Sequence, residues 1–379
     1  MKLTSSQQRF YTLLGIGVLV LTIGLWGCSE SDKSPVSSDA SFAGQLSLKN
    51  PAVQSVMAVQ IRHTKALMAR ADVIGTATTI NEAGLPAVMI LVTSESARLA
   101  APTELDGVPV RVVLTDTIVA MKGRPGGGGG GGDEDIDPKR DKQTPPIILG
   151  TSGGWRFDLA NGFCCGGTLG SLIQVGDQKR ILSNYHVFEA DIVDGGNGIV
   201  ATTGDPVIQP ALIDIGCNAN NAQEVATLVV TSSLPSSNVD CSSANIISGM
   251  VDETGAILEI GTISATTVGA FIGQDVKKSG RTTGLSRSTV DALNATVNIT
   301  YNNECAGGTA FTETFTGQII IGNRGSKFLK GGDSGSLMVE DVTSNPRAVG
   351  LLFAGSRKIA IANPINDVLS FLGASMVGN

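Results

Sequence analysis

Hydrophobic and polar positions divide the chain into segments of different rhythm. Lys2 and Arg9 precede a largely apolar run from Phe10 to Gly27, which stops at Cys28 and a polar Ser-Glu-Ser-Asp stretch. A positive start, an apolar stretch and a small residue at its end are the layout of a secretory signal over residues 1–27. A run of about 18 residues is also long enough to just span a bilayer, so an uncleaved anchor is the alternative. Residues 28–48, rich in Ser, Asp and Lys, read as a tether. From Pro51 to Arg70, Val53, Val56, Met57, Ile61 and Met68 fall at helical spacing, with Gln60 and Thr64 interrupting the stripe. Ile74–Ile80 and Pro86–Val92 alternate like strands around a turn at Asn81-Glu82-Ala83-Gly84. Val108–Leu114 and Thr117–Met121 form a second hairpin-like set. Residues 49–122 thus predict a small α+β domain.

Residues 123–146 break every pattern. Gly126 to Gly132 form an uninterrupted glycine run, followed by Asp133-Glu134-Asp135-Ile136-Asp137. Polyglycine has no side chains to bury, so this segment predicts a flexible acidic linker. The spaced aspartates lack the Gly and bidentate Glu of a calcium loop and read as a solvated charge run. From residue 147 to 379 short strands alternate with turns. The first group is Gly167–Val175, Arg180–Val187, Gly198–Thr203, Glu224–Thr231 and Asp240–Ile247. The second is Ile257–Ala265, Ala270–Lys277, Ser288–Tyr301, Glu313–Ile321, Leu337–Glu340, Ala348–Ala354 and Lys358–Asn363. Such a series, with one helix-like stretch at Ile365–Leu372, predicts a mainly β protein built as two barrels or a sandwich.

Composition narrows the function. The net charge is −7 and no basic run occurs, which argues against nucleic acid. With 48 glycines and only 16% charged residues, the chain suits a turn-rich β protein. Beyond Cys28 the cysteines are Cys164, Cys165, Cys217, Cys241 and Cys305. In an exported chain these predict disulfides of unassigned pairing, with the odd thiol buried as a small apolar group. No metal or organic cofactor is indicated.

The strongest chemical signal is Gly332-Asp333-Ser334-Gly335. A serine hydroxyl attacks a carbonyl when a base takes its proton and amide donors receive the oxyanion. Gly332 and Ser334 are the natural donors, and a surface turn is the bland alternative. There are two histidines in the chain. His63 sits by Arg62 and Lys65 on the predicted helix and reads as solvated. His186, at the end of a strand, is the candidate base. The carboxylate that would orient it has six candidates: Glu189, Asp191, Asp194, Asp205, Asp214 and Asp240. Asp240, opening a strand after a turn, is preferred, with Asp214 second.

The order His186, Asp240, Ser334, the Gly167-Thr168-Leu169-Gly170 strand leading to Ser183-Asn184-Tyr185-His186-Val187, and Gly-Asp-Ser-Gly together resemble the trypsin/chymotrypsin-like serine peptidases. Ser279-Gly280-Arg281-Thr282-Thr283-Gly284 is similar to a segment of the bacterial branch. The run from Ala348 to Ser356 resembles its substrate-pairing strand. Over residues 147–379 the resemblance implies a trypsin-like double six-stranded β-barrel, and with it a serine endopeptidase with catalytic His186, Asp240 and Ser334. It also implies an oxyanion hole at Gly332 and Ser334, substrate contacts at Phe353, Ala354 and Gly355, and an apolar pocket at Phe328. Its substrate would be a polypeptide. Ser336 stands where that family has a second Gly, and Pro145-Pro146 precede the terminus-like Ile147-Ile148, so Asp333 is expected to have another partner. Leu25-Trp26-Gly27-Cys28 resembles the bacterial lipoprotein signal, which implies lipidation at Cys28 and membrane attachment in the cell envelope. Residues 49–122 then read as a pro-region, a substrate-presenting module or a passive spacer.

Two other enzyme readings fail on the residues. An α/β-hydrolase needs G-x-S-x-G and a later histidine, but residue 336 is Ser and no histidine follows Ser334. A subtilisin-like order needs Asp before His. The remaining alternative is a catalytically silent binding or surface lipoprotein on a protease-like scaffold.

Overall fold

The computed structural model describes residues 45–123, 137–160, 163–189, 200–235, 237–302 and 310–379. The signal, Cys28, the glycine run, Asp191, Asp194 and Cys305 lie outside the described residues. Among those described, no helix is long and apolar enough to cross a membrane.

Helix α1 (Pro51–Met68) starts where Asn50 accepts from the Ala52 amide and Pro51 occupies the first turn. It buries Val53, Val56, Val59, Gln60 and Leu67, while Ile61 is exposed. The buried face is therefore rotated from the expected stripe, and the cause is polar. Gln60 donates to the Thr76 hydroxyl (3.2 Å) and the Asn294 carbonyl (3.0 Å) and accepts from Thr78 (3.0 Å) and the Asn294 amide (2.9 Å). Thr64 bonds Thr76 at 2.7 Å. The two residues that interrupt the apolar pattern are the ones that seat the helix.

Strands β1 (Val73–Ile80) and β2 (Pro86–Val92) form the expected hairpin. The second expected hairpin does not form. The short helix α2 (Glu95–Leu99) carries the chain over, so β3 (Val108–Leu114) pairs parallel with β2, as parallel neighbours require a crossover. The remainder, β4 (Val119–Ala120), leaves this unit and pairs elsewhere, as described below.

The first barrel contains β5 (Thr151–Trp155), β6 (Gly167–Leu169, continued as Ser171–Val175), β7 (Gln178–Ser183), β8 (Pro206–Gln209), β9 (Gln223–Val229) and β10 (Ser242–Ile246). β6 bends at Gly170, where a Cβ would lie 2.0 Å from the Gly335 carbonyl oxygen. Because its two halves pair with different neighbours, the sheet closes in the order β5–β8–β9–β10–β7–β6–β5. The second barrel contains β11 (Asp275–Lys278), β12 (Ser286–Tyr301), β13 (Phe311–Gly322), β14 (Leu337–Glu340), β15 (Ala348–Gly355) and β16 (Ile359–Pro364). It closes as β11–β12–β13–β16–β15–β14–β11. The fold is thus mainly β, a double six-stranded barrel with a small α+β unit before it. Closure removes the open edges that a flat sheet would expose.

β12 outruns its barrel. Its first half pairs with β11 and its second half with β1, so the sheet of the small unit continues from the second barrel. Ala77, Met89 and Leu91 share one buried cluster with Val297, Ile299, Phe315 and Phe353. Cys164 and Cys217 form a disulfide with Cα atoms 5.6 Å apart, and Cys165 is disulfide-bonded too. Among the described residues the free thiol is Cys241, fully buried, and burial with the nearby Asp240 and Glu189 charges holds it well above the usual thiol range. Replacing Gln60 by Ala strands the Thr78 hydroxyl and the Asn294 amide in the seam. It is expected to cost about 1–3 kcal/mol of stability by denaturant unfolding, and a loss under a few tenths would contradict this account.

Candidate active site

β7 ends at Ser183, whose hydroxyl donates to the Thr168 carbonyl (2.8 Å), and the chain then makes one helical turn, α3 (Tyr185–Phe188). His186 therefore sits on this turn, three residues past the end of β7, and not on the strand itself, where the sequence placed it. Asn184 does not cap the turn. Its amide donates to the Asp240 carbonyl at 2.7 Å, tying the histidine to the segment that enters β10.

Asp240 is fully buried and draws partners from both barrels. His186 Nδ1 lies 2.5 Å from its Oδ2, and the His186 amide donates to Oδ1 at 3.3 Å. From the second barrel, the Tyr301 hydroxyl donates to Oδ2 at 2.8 Å, and the Asn363 side chain accepts from the Asp240 amide at 2.9 Å. Burial and the adjacent Asp240 charge hold the Tyr301 phenol well above its ordinary range, so it stays a donor. Ordinary sequence signals single out neither Tyr301 nor Asn363. Their roles arise from the packing of β12 and β16 against the first barrel.

The other candidate carboxylates among the described residues are committed elsewhere. Glu189 accepts from Thr231 and Ser232 amides and from Ser242. Asp205 accepts from the Trp155 indole, and Asp214 from Ser152 and Arg281. His63 pairs with Asp106 at 3.0 Å, away from this region.

Gly332-Asp333-Ser334-Gly335 is buried, not a surface turn; Asp333, Ser334 and Ser336 have no exposure. Gly332 and Gly335 have φ of 98° and 91°, which side-chain-bearing residues rarely adopt. A Cβ on Gly335 would also lie 2.3 Å from the Thr168 carbonyl oxygen. The turn is bonded to both barrels: the Thr168 amide donates to the Ser334 carbonyl (2.8 Å), and the Gly335 amide to the Leu352 carbonyl (3.0 Å). Ser336, where a glycine was expected by resemblance, donates to the Asp333 carbonyl at 2.6 Å.

Asp333 finds its partner inside the second barrel. Its Oδ1 lies 3.1 Å from the Lys278 ammonium, with both side chains fully buried, and it accepts from the Thr282 and Thr283 amides and the Thr283 hydroxyl. Burial lowers the Lys278 pKa, and the Asp333 charge opposes that shift. Ile147 is instead a buried backbone bridge to Val251.

The Ser334 hydroxyl donates to the Phe353 carbonyl at 3.1 Å, and His186 Nε2 is buried without a hydrogen bond. The Ser334–His186 hydrogen bond is thus not made in this conformation. The Gly332 amide donates to the Met121 carbonyl at 2.6 Å. Phe353, Ala354 and Gly355 lie on β15, where Ala354 and Gly355 pair antiparallel with Ala120 and Val119 of β4. Phe328 is buried beside Leu329 in a cluster against which Met121 packs. Asp158, which the sequence did not mark, is 1% exposed and 2.8 Å from the Lys122 ammonium. Burial raises its pKa, and Lys122 and His186 act in the opposite direction. Among the described residues no group of His, Cys, Asp and Glu is arranged to hold a metal ion.

Residues 233–362 match the family described as the Nal1 C-terminal domain, a span that includes Asp240 and Ser334. No curated protein matches the chain. Among solved structures, the chain is similar to Thermobifida fusca protease A at 23% identity and a TM-score of 0.40, covering 62% of this chain and 99% of that one. It is similar to Cellulomonas bogoriensis chymotrypsin at 20% identity and a TM-score of 0.39, covering 61% and 98%. A glutamic acid-specific serine protease is 17% identical with a TM-score of 0.41, covering 61% of this chain and all of that one.

Lys278→Met leaves the Asp333 carboxylate buried without its counter-ion. It is expected to destabilise the chain by about 3–5 kcal/mol in denaturant unfolding, with Asp333→Asn in the same chain recovering part of the loss. Equal stability of Lys278→Met and the parent would refute the pairing.

Proposed function

We propose that the chain is a serine endopeptidase that cuts polypeptides through an acyl-enzyme on Ser334. The observation that carries this reading is the 2.5 Å contact of His186 Nδ1 with the buried Asp240, which leaves Nε2 as the nitrogen without a partner. A carboxylate on Nδ1 fixes the tautomer that has its lone pair on Nε2 and stabilises the imidazolium formed when that nitrogen takes a proton. Rotation of the Ser334 side chain away from the Phe353 carbonyl would offer its hydroxyl to Nε2. Oγ then adds to the substrate carbonyl, and the amides of Gly332 and Ser334 receive the oxyanion. The imidazolium returns its proton to the leaving amine, and water discharges the ester by the same base. Phe353, Ala354 and Gly355 pair with the substrate backbone, and the apolar surroundings of Phe328 and Leu329 favour an apolar residue before the cut. No cofactor enters this chemistry. We place the enzyme outside the cytoplasm, held to a membrane through lipid on Cys28.

A fluorophosphonate probe tests the nucleophile. Because Met121 engages the Gly332 amide, the probe is applied to the parent chain and to Met121→Asp, whose charge the apolar pocket rejects. Labelling that disappears in Ser334→Ala supports the peptidase. Absence of labelling in both chains would leave the silent scaffold.

A further inference from the structure

The segment Ile118–Gly123 lies across the proposed site in the manner of a bound peptide. Val119 and Ala120 pair antiparallel with Gly355 and Ala354. The Met121 amide donates to the Phe353 carbonyl at 2.9 Å, the same carbonyl that accepts from the Ser334 hydroxyl. The Met121 carbonyl accepts from the Gly332 amide at 2.6 Å, the donor assigned above to the oxyanion. Its side chain packs on the Phe328 and Leu329 cluster, and a Cβ on Gly355 would lie 3.2 Å from both Met121 Cε and Leu329 Cδ2. Beyond the next peptide bond the chain is held just as firmly. Gly123 and Gly166 exchange amide–carbonyl bonds of 2.8 and 3.2 Å, and the Lys122 ammonium meets buried Asp158 at 2.8 Å. The bond between Met121 and Lys122 is thus fixed on both sides, with its carbonyl on the donor beside Ser334.

We propose that this segment is the enzyme's own first substrate, and that Ser334 cuts the Met121–Lys122 bond within the same molecule. The inference rests on the peptidase reading above. Oγ of Ser334 adds to the Met121 carbonyl carbon as its proton passes to Nε2 of His186. The C–N bond to Lys122 then breaks, and the Lys122 nitrogen takes that proton and departs as an amine. One water hydrolyses the Met121–Ser334 ester, giving a Met121 carboxylate and restoring the serine hydroxyl. Immobilisation on both flanks supplies the proximity that makes a unimolecular reaction fast. Until the cut, the strand fills the groove that another polypeptide would need. After it, the fragment ending at Met121 stays attached, because β1 remains paired with β12.

Intact-mass measurement and N-terminal sequencing of the purified full chain test this. The expected result is a split between Met121 and Lys122, with both pieces co-migrating under native conditions and a rate per molecule unchanged on tenfold dilution. Ser334→Ala should stay whole. Met121→Asp should be cut at least tenfold more slowly yet react with the fluorophosphonate, and Met121→Leu should restore cutting, separating loss of the anchor from loss of folding. A parent chain that stays whole while Met121→Asp takes the probe overturns self-cleavage and leaves the peptidase reading standing. A cut at another bond, or a rate that falls with dilution, also overturns it. No reaction of either chain with the probe removes both readings.

Discussion

The structure turns on one buried charge. Asp240 has no contact with solvent, and an ionised carboxylate in such a place is tolerable only if its oxygens are bonded. The partners come from opposite halves of the molecule: His186 from the first barrel, Tyr301 from the second. Asn363 holds the same residue by its amide. Satisfying this carboxylate and packing the barrels together are therefore one requirement. The Ser334 turn has the same character, bonded to Thr168 on one side and to Leu352 on the other.

Much of the element pattern was legible from the spacing of apolar residues. Pro86–Val92, Val108–Leu114, Leu337–Glu340 and the helix Ile365–Leu372 have the bounds their patterns suggest. What failed was partner choice. Val108–Leu114 carries a strand pattern whether it pairs with its successor or with β2, and only tertiary packing selects β2. Thr151–Trp155 and Pro206–Gln209 were missed because two glycines weaken the first pattern and the second is a short strand opening on proline. For α1, periodicity placed Ile61 inward. The buried amide of Gln60 outweighs it, since an unsatisfied polar group costs more than one exposed aliphatic chain.

At the site, scarcity made His186 readable: with two histidines in the chain, few assignments existed. The Gly-Asp-Ser-Gly turn was readable because its glycines serve a backbone that other residues rarely adopt. Lys278, Asp158, Tyr301 and Asn363 were not, since each is an ordinary residue type whose partner is remote along the chain. The strand Val119–Ala120 is the sharpest case. The pattern marks Thr117–Met121 as strand-like but gives it Val108–Leu114 as partner, whereas its strand lies along β15.

The Lys278–Asp333 pair has a consequence for control. Its cation is a side chain born with the barrel, whereas an amino terminus has to be manufactured by a prior break in the polymer. The Ser334 turn is accordingly set when the chain folds, with no maturation event needed to shape it. On the proposed reading, restraint of so early-formed a centre falls to whatever occupies the groove, so timing is governed by displacement and not by assembly.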